Sequence, residues 1–219
     1  FIITVGGTNG KGSTCAILES IYKEAGYKVG CYTSPHFLHF NERIKIQANP
    51  VSDDLICEAF TKIESVRKEI SLTYFEYGTI AAMIIFADAD LDIAILEVGL
   101  GGRLDAVNVF DSDCAIVTTI DLDHMEYLGH TREAIGFEKA GIYRANKAAI
   151  CGDFDPPQSL IKHCESIHAE LKMIGKDFAY EAHHDSFDFS IESSFVMNVP
   201  LPRMQGFFQL TNASNALMA

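Results

Sequence analysis

Apolar residues fall along this chain in short unbroken runs, separated by longer segments with helical spacing. The runs lie in Phe1 to Val5, Lys28 to Thr33, Asp92 to Val98, Cys114 to Ile120, Lys147 to Cys151 and Leu171 to Ile174. Between them, Cys15 to Tyr22, Leu55 to Ile70, Phe75 to Ala89, Thr131 to Ala140 and Ser159 to Ala169 read as helices. The second of these starts at a Ser52-Asp53-Asp54 cap and repeats apolar residues at 55, 56, 59, 60, 63, 66 and 70. Strands that are apolar throughout, rather than at alternate positions, are buried on both faces. Alternating with helices, they predict an α/β fold with a doubly wound, mostly parallel sheet. Arg43 to Gln47 reads as a short outlying strand. From Phe178 to Pro202 the pattern becomes alternating, as in Phe187-Asp188-Phe189-Ser190-Ile191, which predicts a small antiparallel β appendage. Thr211 to Met218 reads as the start of another helix. There are no internal repeats.

Composition narrows the class. With 219 residues, 48% of them hydrophobic and 21% charged, the chain can bury a sizeable core and has no disordered character. The net charge of −13 argues against a general nucleic-acid or anionic-membrane surface, and still allows one locally cationic loop. Cys15, Cys31, Cys57, Cys114, Cys151 and Cys164 are scattered, as expected of reduced, mostly buried thiols. The longest fully apolar run, Ile80 to Ala87, is far too short to span a bilayer. The expectation is a cytoplasmic monomer acting on small molecules. Both ends fall inside predicted elements, so the sequence reads as a fragment.

The chemistry gathers where strands end. The first strand runs into Gly6-Gly7-Thr8-Asn9-Gly10-Lys11-Gly12-Ser13-Thr14 and then a helix. Glycines let several N–H groups converge on one anion, and the helix start adds partial positive charge. Lys11 suits terminal phosphates, and Ser13 or Thr14 offers a hydroxyl to Mg²⁺. The general G-x-x-x-x-G-K-[ST] pattern is not met, because Gly12 follows Lys11. Three other strand ends carry polar groups, at Ser34, Glu97 and His124, and ligands of such sheets sit beyond the strands' carboxyl ends. A glutamate closing Ile93-Ala94-Ile95-Leu96 needs a partner, either Mg²⁺ or a salt bridge to Arg103. Ser34 reads equally as a turn cap, His124 as a solvated histidine, Lys139 as a surface helix lysine and Phe75 as a core aromatic.

Five separated motifs change that balance. They are Gly7 to Thr14, Thr33-Ser34-Pro35-His36, Leu96 to Ala106, Asp123-His124 and Glu138-Lys139-Ala140-Gly141-Ile142. Together they resemble folylpolyglutamate synthase and the bifunctional dihydrofolate synthase/folylpolyglutamate synthase of the Mur ligase superfamily. The resemblance implies that residues 1–219 form an ATP-binding domain and that a Rossmann-like glutamate ligase domain follows. It implies ATP-dependent addition of L-glutamate to dihydropteroate or to folates through an acyl phosphate. Thr8, Asn9, Gly10, Lys11, Gly12, Ser13 and Thr14 would bind the ATP phosphates, and Asn212 the adenine. Ser34 and Glu97 would hold a first Mg²⁺, and His124 a second. Lys139 would be carbamylated and bridge to metal. Thr73, Tyr74, Phe75 and Glu76, with Leu104, Asp105 and Ala106, would line the pteroate site. Lys11, His124 and Lys139 would serve catalysis. The alternatives are another Mur-type amino-acid ligase, or a nucleotide-binding module without catalysis.

Overall fold

The computed structural model describes residues 1–192 and 194–219. The apolar runs become β1 (Ile2–Gly6), β2 (Val29–Tyr32), β5 (Ile93–Glu97), β6 (Cys114–Val117), β7 (Ala148–Cys151) and β8 (Glu170–Met173). They pair in parallel, and the antiparallel strands β3 (Ile44–Ile46) and β4 (Asn49–Pro50) extend one edge. The order is β4-β3-β2-β5-β1-β6-β7-β8. The chain winds leftward from β1 to β2 and later continues on the right from β6, so the winding reverses at β1. A crevice opens at such a reversal, beyond the strands' carboxyl ends.

Burial on both faces explains the continuous apolar runs. Along β5, Ala94 and Leu96 join one core with α2 (Asp53–Arg67), α3 (Tyr74–Asp88), α5 (Arg132–Ala140) and α6 (Gln158–Ile167). Ile93 and Ile95 join the opposite core with α1 (Lys11–Glu24) and α7 (Phe208–Met218). The predicted appendage is a separate three-stranded antiparallel sheet of β9 (Phe178–Ala182), β10 (Ser186–Ile191) and β11 (Ser194–Pro200). Its Phe178, Phe187 and Phe189 are buried in that second core beside Leu210 and Ala213 of α7.

Several boundaries move for physical reasons. Helix α1 begins at Lys11, not at Cys15, because Gly10 takes the left-handed conformation (φ 87°) from which the helix can start. Helix α2 stops at Arg67, where Lys68 turns to φ 52°. Its stripe is narrower than the spacing predicts. Ile56, Ala59 and Ile63 are buried, while Leu55, Val66 and Ile70 are exposed, since the helix covers only one flank of α3. Helix α7 starts at Phe208, three residues before the predicted Thr211. The short α4 (Met125–Leu128) has no sequence signal. No helix among the described residues is long and apolar enough to cross a membrane.

Ile95 sits fully buried in the central strand next to β1. Ile95→Ala is expected to lower the unfolding free energy by about 3 kcal/mol in urea titrations, through lost transfer energy and an unfilled cavity.

Candidate active site

The strand ends meet at one edge of the sheet. Val5 pairs with Glu97 and Gly6 with Val117, so the glycine-rich loop leaves β1 between the ends of β5 and β6. The loop is tied down from the β6 side. Thr8 N donates to Thr119 O (2.7 Å), and Asn9 N to the Thr119 hydroxyl (3.1 Å). Thr118 Oγ1 donates to Asn9 O (2.6 Å) and Gly6 O (3.2 Å), and Thr8 Oγ1 and Asp121 exchange two further bonds. Gly7 lies at φ 141°, and any Cβ there would run into the Thr118 hydroxyl. The Lys11 ammonium folds back over the loop, donating to Gly7 O (2.9 Å) and Thr8 O (3.1 Å).

Glu97 is the buried acid beside this loop, 4% exposed. Its Oε2 accepts from Ser34 N (2.8 Å), and a Cβ on Gly12 would lie 3.6 Å from its Oε1. Burial pushes its carboxyl up, against the pull of the Ser34 bond and of the Lys11 and Arg43 charges. The salt-bridge alternative fails, because Arg103 pairs instead with Glu138 (2.9 Å). Lys11, Ser34, Glu97, Asp105, His124, Tyr74 and Phe75 line one cleft of about 500 Å³. Phe75 is half-buried, packed against Gly99 and 5.8 Å from the Tyr32 ring. His124 is exposed and takes a left-handed conformation ahead of α4.

Lys139 departs from the surface-lysine expectation: it is 3% exposed. The Gly101-Gly102-Arg103 turn packs on the end of α5, with Arg103 N donating to Glu138 O (2.7 Å). Burial lowers the Lys139 pKa to about 8, helped by Lys11, while Asp123 opposes the shift.

Other candidates sit differently. Thr14 is fully buried and its hydroxyl meets no partner among the described residues. Ser13 remains at the loop, 3.4 Å from Gln209 Nε2. Thr73 and Glu76 form a capping box that starts α3, each bonded to the other's backbone N–H. Asp105 accepts from the N–H groups of Gly99, Leu100 and Val107, and so shapes the loop that faces Phe75. Leu104 is 80% exposed, and neither it nor Ala106 lines the cleft. Asn212 is buried and bonded to Gln209 Oε1 (2.9 Å). It belongs to a second hollow of about 400 Å³ on the other side of the loop, with Asn9, Gly10, Thr119, Phe154, Tyr180 and Phe208.

Comparison with known proteins accounts for this layout. The family model of the Mur ligase middle domain matches residues 5–219. The chain belongs to the Mur ligase middle domain family. It is 47% identical over its whole length to the dihydrofolate synthase/folylpolyglutamate synthase of Escherichia coli (strain K12), spanning 51% of that relative. It superposes with a TM-score of 0.96 and 46% identity on E. coli FolC in complex with DHPP and ADP, covering 99% of this chain and 51% of the other. A bifunctional folylpolyglutamate synthase/dihydrofolate synthase with Mn, AMPPNP and L-glutamate bound matches with a TM-score of 0.92 and 44% identity, covering 99% and 52%. The chain thus spans about half the length of these relatives.

Three residues that shape the site in this Mur ligase middle domain carry little or no sequence signal. Thr118 and Thr119 anchor the loop, and their signal was a hydroxyl pair directly after an apolar strand. Arg43 lines the cleft while 8% exposed, and nothing in the sequence distinguishes it from the arginines that stay at the surface.

Two outcomes follow from the geometry. Gly7→Ala is expected to lower the unfolding free energy by about 1–3 kcal/mol in urea titrations, because the loop must leave Thr118 to make room. For Lys139, the folded pKa lies below the ordinary 10.5. Below pH 8 the fold therefore carries a buried charge at a cost, and from pH 8 to about 10 the unfolded chain binds more protons, so stability rises with pH. Lys139→Met should gain on the order of 2 kcal/mol at pH 7 in bicarbonate-free urea titrations and flatten that rise.

Proposed function

We propose that this domain is the ATP-binding half of a carboxylate–amine ligase that adds L-glutamate to dihydropteroate, to folates, or to both. The observation that carries this is a buried Glu97, in no ion pair among the described residues, sharing one cleft with Lys11 of the glycine-rich loop and an aromatic wall at Phe75. The remaining half of the full-length protein then supplies a Rossmann-like domain and much of the glutamate site.

The donor set suits a hard divalent cation. Among the described residues no cluster of three His, Cys, Asp or Glu side chains forms a closed cage. Mg²⁺ is usually held by one or two protein oxygens, with phosphate and water completing the shell. Glu97 with Ser34 would hold one ion and His124 a second, and such ions neutralise phosphate charge.

In the reaction, Lys11 leaves the Gly7 and Thr8 carbonyls to meet the β and γ phosphates, and the loop N–H groups with Ser13 complete the cradle. Asn212 and the aromatic hollow beside Gly10 receive the adenine. Tyr74, Phe75 and the Asp105-shaped loop orient the pterin or aryl portion, so that the substrate carboxylate faces the γ-phosphate. A carboxylate oxygen attacks phosphorus and ADP leaves, giving an acyl phosphate. The glutamate amine then attacks the acyl carbon, and inorganic phosphate and one proton leave as the amide forms. Positioning and charge neutralisation supply the catalysis. With a pKa of about 8, Lys139 is neutral in about a tenth of molecules at pH 7. That amine can add CO₂ and release a proton, becoming a carbamate, an anionic oxygen donor fit to lie beside a metal ion.

The full-length protein is expected to form dihydrofolate from dihydropteroate and glutamate with one phosphate released per product, and none without ATP. Product formation without ATP would overturn the proposal. Glu97→Ala should lower turnover at least about 100-fold while leaving the melting temperature within about 3 °C, read by phosphate release and thermal denaturation.

A further inference from the structure

Arg43 is a buried cation that closes no ion pair among the described residues, the Glu97 carboxylate acting on it only at a distance. Arg43 ends the single-turn helix Phe40–Arg43 ahead of β3 and is 8% exposed. Its Nε donates to His36 Nδ1 (2.7 Å), and its guanidinium carbon lies 5.7 Å from the Phe40 ring centre and 5.3 Å from that of Tyr74. The adjacent acid, Glu42, is occupied by the N–H groups of Phe37, Leu38 and His39, at 2.7 to 2.8 Å. Arg43 nevertheless lines the cleft with Lys11, Glu97 and Phe75.

Burying a guanidinium with no carboxylate in contact is costly, and an anion that arrives within bonding distance relieves that cost. The planar fork fits a carboxylate with two parallel bonds. Nucleotide phosphate already has Lys11 and the start of α1. Arg43 lies beside β2 and β3, flanked by the rings of Phe40 and Tyr74, in a cleft that Phe75 also lines, surroundings that suit an aromatic acid.

We infer that Arg43 is the residue that recognises the carboxylate of the acceptor, an aryl acid, and holds it in the cleft opposite Lys11. The inference rests on the amide-ligase reading above. It assigns separate cations to the two negatively charged substrates: Lys11 to the nucleotide, Arg43 to the acid. Glu97 and Asp105 also face the cleft, and without Arg43 they would repel that acid.

The test uses the full-length protein without nucleotide, titrated calorimetrically with dihydropteroate and with its carboxamide, which has the same shape and no charge. The wild-type protein should prefer the acid by at least about tenfold. Arg43→Gln should erase that preference, Arg43→Lys should retain part of it, and the melting-temperature rise with Mg-ADP should stay unchanged in both. Retention of the preference in Arg43→Gln, or equal weakening of acid and amide, overturns the assignment. Absence of ATP-dependent product from the wild type overturns the ligase reading, whereas product formation without an acid-over-amide preference overturns only the role of Arg43.

Discussion

A carboxylate buried at the end of a central strand constrains everything around it. Glu97 lies where β5 meets β1, among apolar residues that give an ionised acid no solvation. The fold offsets that cost with one backbone N–H from Ser34 and two cations set at a distance, Lys11 and Arg43. Neither cation closes an ion pair with it. The acid therefore remains a strong, directed electrostatic demand at the bottom of a cleft, satisfied fully only by something that binds there.

The loop opposite is held with comparable strictness. Thr118 and Thr119 take up the carbonyls and N–H groups of Gly6, Thr8 and Asn9, and Gly7 lets the backbone pass against Thr118 without a side chain. This spares the loop the ordering cost of closing around a phosphate, which is the benefit of preorganisation. Lys11 is the adjustable part: its ammonium rests on the loop's own carbonyls, in bonds that a phosphate can replace. Two hollows flank the loop, one walled by Phe75 and Asp105, the other by Phe208 and Asn212. That division suits a reaction joining two substrates through a phosphate passed between them.

The sequence alone determined the class of fold and the place of the chemistry. Continuous apolar runs alternating with helical spacing require strands covered on both faces, and the two cores on either side of β5 meet that requirement. Gly6 to Thr14 after such a run, and a glutamate ending another, are local signals, because burial and loop geometry act there over a few residues. Both signals come at the carboxyl ends of parallel strands, so they lie at the same end of the sheet. Helix lengths were less legible: Leu55, Val66 and Ile70 have the spacing of a core stripe but no neighbour to cover them.

Tertiary structure decided which of the polar residues face the site. Ser13 and Thr14 are adjacent hydroxyls in the sequence, and the rotation of about 100° per helical residue buries Thr14 fully while Ser13 meets Gln209 of α7. Thr73 and Glu76 satisfy a helix end, Arg103 satisfies Glu138, and Lys139 is buried because a distant glycine turn packs over its helix. Arg43 became visible only through what is missing around it. Whether a charge has a partner depends on residues brought together from separate strands, and spacing along one chain carries no record of that.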